Sequence, residues 1–238
     1  MTVTAGPERA PAGRRAALAL LAACMLLPAC GRDEPAPAPA APDPATLPGV
    51  WAGVYPCADC PGIETRLWLR PDGRFFLEQR YLAGADGDPA AATHNLGRWQ
   101  WDPGGRVLSL AGAGPVRRFE RPSADRLEFG TAVPEPHMLT RQAGSTNFSG
   151  VLAVEGTVRR AGDGYVLAEC LTGYEVPVAT GGDYARFVRQ FRNVVPRGAA
   201  TLAHFEGRYT WNAAGGAAGF QIERFVTLRP GGACREPT

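Results

Sequence analysis

The sequence predicts an all-β fold with one short helix, divided into two small barrels. Three observations carry this. From Trp51 onward apolar residues recur with period two, and turn signals interrupt them about every ten residues. Turn formers are abundant, with 30 Gly and 22 Pro in 238 residues, as in short-stranded β folds. At one place only, around residues 183–191, the period changes to that of a helix.

The first 29 residues read as a lipoprotein signal peptide. Arg14 and Arg15 precede an apolar run, Ala16 to Cys30, of secretory-signal length. It is too short for a membrane span, and Pro28 interrupts it. The run ends on Leu27-Pro28-Ala29-Cys30, a lipobox-like sequence in which Cys30 takes the acyl chains. Leu21-Ala22-Ala23-Cys24 fits the pattern residue by residue, but cleavage there would leave Met25 to Pro28 as an apolar stub. Cys30 is therefore the expected lipidation site, and multiple acyl chains would make the anchoring permanent. Residues 30–48 alternate Pro and Ala and form a stiff tether without a core. At about 3.1 Å per residue it reaches up to roughly 55 Å from the lipid.

The first barrel is expected over residues 49–142. Strands are predicted at Ile63 to Arg70, Arg74 to Leu82, His94 to Trp101, Arg106 to Leu110, Val116 to Glu120, Leu127 to Phe129 and Met138 to Arg141, after an opening strand through Trp51. Pro71-Asp72-Gly73 makes a hairpin turn, and residues 83–89 leave regular structure. A sequential meander of this length closes most simply as an up-and-down barrel, which leaves no open edge. Trp51, Trp68, Trp99 and Trp101 are expected to fill its interior or rim it, core packing being favoured over a ligand cup.

Cys57-Ala58-Asp59-Cys60 lies between the first two strands. Redox catalysts place such a motif at a helix N-terminus, where the thiol pKa falls, and Pro61-Gly62 argues against a helix here. Zinc wants four ligands, and the three histidines offer no second pair. Two thiolates suit Cu(I), a soft cation, with the Glu135-Pro136-His137-Met138 segment as a further source of ligands. A structural disulfide is the favoured reading, because an exported chain meets an oxidising compartment.

The second barrel is expected over residues 148–238. Strands are predicted at Phe148 to Arg159, Tyr165 to Cys170 and Tyr174 to Val178, then at Ala200 to Trp211 and Gly219 to Leu228. Between the two groups, Tyr184, Phe187, Val188 and Phe191 share one helical face, with Asp183 as cap and Pro196 beyond the end. Three strands, a helix and two strands is the element order of an OB barrel. A bridge between Cys170 and Cys234 would close a loop of about 60 residues and stabilise by about 4 kcal/mol on the chain-entropy model. That makes the second barrel's stability depend on oxidation.

Function classes narrow accordingly. The net charge is +2 and spread along the chain, which excludes a nucleic-acid footprint. Gly-x-Ser-x-Gly, His-Glu-x-x-His and Gly-x-Gly-x-x-Gly are absent from the sequence, and His94, His137 and His204 are dispersed singles, so no enzyme is expected.

The chain resembles the NlpE family of envelope lipoproteins, also known as copper resistance or copper homeostasis and adhesion lipoproteins. The resemblance rests on Cys30, Gly53-Val54-Tyr55, Pro56-Cys57-Ala58-Asp59-Cys60-Pro61-Gly62-Ile63, Leu67, Leu69 and Pro71-Asp72-Gly73, with the Cys170 and Cys234 pair matching more loosely. It implies a lipocalin-like N-terminal barrel, an OB-like C-terminal barrel and lipid anchoring to the periplasmic face of the outer membrane. The implied role is a non-enzymatic sensor of envelope stress or surface contact that signals to the periplasmic domain of a two-component sensor kinase. Copper binding through Cys57 and Cys60 is the alternative.

Overall fold

The computed structural model describes residues 43–83, 92–102, 104, 106–130 and 137–235. The expected signal peptide, Cys24, Cys30, nearly all of the tether, and Glu135 and Pro136 lie outside the described residues.

Eight strands close the first barrel: β1 (Gly49–Tyr55), β2 (Ile63–Leu69), β3 (Arg74–Tyr81), β4 (Thr93–Asp102), β5 (Val107–Gly112), β6 (Arg117–Ser123), β7 (Arg126–Phe129) and β8 (His137–Gln142). Each pairs antiparallel with the next, and β8 returns to β1 through Trp51 opposite Arg141. Period two along the strands sends Trp51, Leu67, Leu77, Phe119, Leu127 and Leu139 into a packed interior. A short 3-10 turn, Pro44–Thr46, seals one end. Leu47 is fully buried there, and its carbonyl accepts the Trp51 indole N–H at 3.1 Å. The Arg141 guanidinium stacks 4.4 Å from the Trp51 ring. Arg121, only 1% exposed, donates to the carbonyls of Asp43 and Ala124 and to Thr46 Oγ1.

Five strands close the second barrel: β9 (Leu152–Ala161), β10 (Gly164–Glu169), β11 (Glu175–Ala179), β12 (Ala200–Trp211) and β13 (Ala217–Pro230). Their order around the barrel is β9-β10-β11-β13-β12, with β12 returning to β9 and β11 running parallel to β13. That is the OB arrangement. Helix α1 (Tyr184–Val194) crosses from β11 to β12 and buries Phe187 and Phe191 against Tyr165, Phe205 and Phe225.

Three expectations are corrected. Asp183 does not cap α1 with its side chain; its Oδ2 instead accepts the Phe225 amide at 2.9 Å, tying the helix start to β13. Phe148 is not in a strand; β9 begins at Leu152, and Phe148 is wedged between the barrels. Trp68 neither fills nor rims the first barrel. It lies on the face opposite Leu67 and Leu69 and packs on Phe148 and the second barrel's core.

The last correction exposes the joint between the barrels. In β3, Phe75, Phe76 and Leu77 are all buried, although a one-sided strand alternates. Phe75 and Leu77 face the first barrel's interior, while Phe76 stacks on Phe148 at 5.2 Å and meets Tyr209 and Trp211. The two barrels therefore share an aromatic core that neither could bury alone.

Candidate functional site

The Cys57-Ala58-Asp59-Cys60 segment sits at the tip of the β1–β2 hairpin, because Tyr55 pairs opposite Ile63. Cys57 and Cys60 are joined as a disulfide with Cα atoms 5.2 Å apart. No helix starts there, so the dipole that lowers a catalytic thiol pKa is absent at this position. With both sulfurs in the bridge, neither is a thiolate, and copper ligation by this pair requires prior reduction.

Strand β8 brings His137 to the same barrel end, its ring stacked 4.6 Å from Tyr55. Met138, the next residue, points outward and is 40% exposed, with its Sδ against Arg126. His94 pairs with Glu78 on the neighbouring strand at 3.0 Å, and His204 pairs with Glu155 in the second barrel. Among the described residues no three His, Cys, Asp or Glu side chains converge to hold a metal ion.

Cys170 and Cys234 are joined as the second disulfide. Cys170 opens the turn between β10 and β11, and the buried carboxylate of Glu169 organises it. Glu169 accepts the amides of Leu171 at 2.9 Å and Thr172 at 2.6 Å, together with the Thr172 hydroxyl. Burial pushes its pKa up, and these donors pull it back.

The same turn docks on the first barrel. The Thr172 carbonyl accepts Arg74 Nε at 3.0 Å, and the Tyr174 hydroxyl donates to Asp72 at 2.7 Å. Arg70 is the centre of this joint and is 2% exposed. Its Nε donates to Tyr174 Oη at 2.8 Å and its Nη1 to the Thr146 carbonyl and Asn147 Oδ1, both at 3.0 Å. Its Nη2 donates to the Gly215 carbonyl, and its plane lies 4.0 Å from the Trp211 ring centre. Burial and the Asp72 bond raise the Tyr174 pKa, so the phenol stays protonated and donates at neutral pH.

Sequence reading placed Arg70 at a strand end and gave it no role. The readable signal was the doubled apolar run on each side of the Pro71-Asp72-Gly73 turn, Leu67-Trp68-Leu69 and Phe75-Phe76-Leu77. Strands buried on both faces read this way.

The turn motif and the strands around it have a counterpart among known proteins. Residues 51–130 match the family model for the NlpE N-terminal domain. That match runs from β1 through β7 of the first barrel. Among curated proteins, Lipoprotein NlpE of Escherichia coli (strain K12) is 27% identical over 145 residues, covering 59% of this chain and 60% of that protein. The chain thus matches about 60% of the length of this NlpE relative. Two solved structures are also similar. One is the crystal structure of the Cpx pathway activator NlpE from Escherichia coli, at 23% identity and a TM-score of 0.34, covering 79% of this chain and 97% of that one. The other is a putative lipoprotein from Shewanella oneidensis, at 25% identity and a TM-score of 0.33, covering 41% of this chain and 90% of that one.

Proposed function

We propose that the chain is an envelope lipoprotein, lipidated at Cys30 and held on the periplasmic face of the outer membrane. In this reading it is a non-enzymatic sensor of stress or surface contact that signals to the periplasmic domain of a two-component sensor kinase. The observation that carries the reading is the match of residues 51–130 to the NlpE N-terminal domain, with its closed Cys57–Cys60 turn, in a barrel bonded through Arg70 to a second one stapled by Cys170–Cys234. The curated relative is described as a lipoprotein, which supports the anchor. A staple at the turn that docks on the first barrel suits a chain whose two halves report on each other.

The test is a two-component stress reporter in cells making the full chain. Production is expected to raise the reporter, and Cys170→Ala or Cys234→Ala is expected to change its set point at equal protein level. A reporter indifferent to the chain and to both variants would sink the signalling reading.

Copper binding at Cys57 and Cys60 is the second reading. It is favoured by β8 bringing His137 and Met138 to the barrel end that carries the two cysteines. The reduced chain should then bind one Cu(I), and a Cys57→Ser/Cys60→Ser variant should lose it. Unchanged stoichiometry in that variant removes the pair as ligands.

A further inference from the structure

We propose that the outward face of helix α1 in the second barrel is a docking surface for anionic phospholipid headgroups, with Arg189 at its centre and Arg186 and Arg192 on either side. The three arginines follow one another at intervals of three residues. At about 100° per residue they fan over roughly 120° of the helix. Phe187 and Phe191, buried beneath α1, lie on the opposite side, so Arg189 points away from the barrel. All three arginines are exposed, as is Arg197 in the turn that follows the helix.

Two observations separate this face from an ordinary solvated one. The first is that its charge is uncompensated. From Tyr184 to Phe205 the chain contains four arginines and no Asp or Glu. Elsewhere on the surface arginines sit beside carboxylates, as Arg126 does with Glu128, Arg159 with Glu175 and Arg224 with Glu206. On α1, Arg186 is held by Asp183 at 3.4 Å. Arg189, Arg192 and Arg197 have no hydrogen bond or ion pair among the described residues. A face of one sign that pairs with nothing of its own attracts a polyanion.

The second observation is apolar. Val194 and Val226 are 41% and 44% exposed. Both line a groove of about 350 Å³ between α1 and β13, together with Arg186 and Arg189. On the other flank of the helix, Tyr184, Val188, Arg189 and Arg192 line a recess of about 430 Å³. Arg189 thus stands on a ridge between two hollows that each carry apolar side chains. Basic residues flanked by exposed valines match the boundary between headgroups and acyl chains, where cations meet phosphate and apolar groups leave water. A soluble polyanion would gain from the arginines alone. The main apolar face of α1 is buried in the barrel core, so the helix does not insert, and the contact stays peripheral and sensitive to salt.

The experiment is vesicle flotation of the oxidised mature chain carrying Cys30→Ser, which removes the proposed acyl anchor and makes the result independent of lipidation. The probes are vesicles of phosphatidylcholine alone and of phosphatidylcholine mixed with phosphatidylglycerol. The chain should float with the mixed vesicles only, and rising sodium chloride should release it. Arg189→Gln and Arg192→Gln should each weaken binding about fivefold, with Tm unchanged because neither side chain has a partner to lose. Arg66→Gln makes the same change of charge on the first barrel and should leave binding as it is. Val194→Ser should weaken binding without altering its dependence on salt, which a purely electrostatic contact would not show. Soluble poly-glutamate at matched charge should fail to displace the chain. No flotation with the mixed vesicles, equal flotation with both kinds, or a loss in Arg66→Gln as large as in Arg189→Gln would overturn the proposal. Displacement by poly-glutamate would assign the surface to an acidic protein instead, and would overturn it equally.

Discussion

Glu169 shows how one side chain can organise a turn at a cost. It is 2% exposed, and its two oxygens hold the amides of Leu171 and Thr172 and the Thr172 hydroxyl. Burial dominates these donors, so its pKa lies above the ordinary 4.5. An acid raised in the folded state favours folding when protonated. Its contribution is complete below the ordinary value and is lost as pH rises through the raised one. Glu169→Gln cannot titrate, so the stability of this variant relative to the parent should improve as pH goes from about 4 to about 7. Denaturant unfolding of both chains across that range measures it. A pH-independent difference would mean that the carboxyl ionises alike in folded and unfolded chains, and that the turn's donors fully offset its burial.

At the scale of elements, the two disulfides differ in what they constrain. Cys57–Cys60 closes the tip of a hairpin whose strands already pair, whereas Cys170–Cys234 joins the β10–β11 turn to the tail beyond β13. On the chain-entropy model the short loop is worth about 2 kcal/mol and the long one about 4 kcal/mol. Cys57→Ser/Cys60→Ser should therefore cost about half as much stability as Cys170→Ala/Cys234→Ala in chemical unfolding. Equal costs would show that native-state packing around each bridge, not loop length, sets its value. The strands themselves were legible in the sequence, because period two is imposed by one-sided burial and the Pro71-Asp72-Gly73 turn punctuates it. The helix was legible from Tyr184, Phe187 and Phe191, which share a face. The role of Asp183 was not, since whether its carboxylate turns to its own helix or to Phe225 depends on where β13 lies. Nor was the contact of Arg117 with Gln79 across the first barrel. Arg117 and Gln79 are 38 residues apart and meet only because the meander closes.

At the scale of the molecule, the question is whether the barrels unfold as one body. Phe76 and Trp68 belong to the first barrel by chain and to the second barrel's core by packing. Arg70 adds the polar half of the joint, with four partners beyond its own barrel: Tyr174, Thr146, Asn147 and Gly215. Arg70→Met would keep an apolar stem beside Trp211 but leave those acceptors without their donor. A buried acceptor so stranded, here the Tyr174 oxygen, costs about 1–3 kcal/mol, the three half-buried ones cost less, and the costs are not additive. The expected loss is about 3 kcal/mol, and it falls on the joint rather than on either interior. Hydrogen exchange can read this directly by comparing protection in β2–β3 with protection in β9–β10. In the parent chain the slowest amides of both hairpins should open with the same free energy, as members of one cooperative unit. In Arg70→Met the two should separate, because the joint that couples them is weakened while each barrel's own ladder is intact. If they still coincide, the aromatic stack of Phe76, Phe148 and Trp211 is sufficient to couple the barrels, and Arg70 sets only their register.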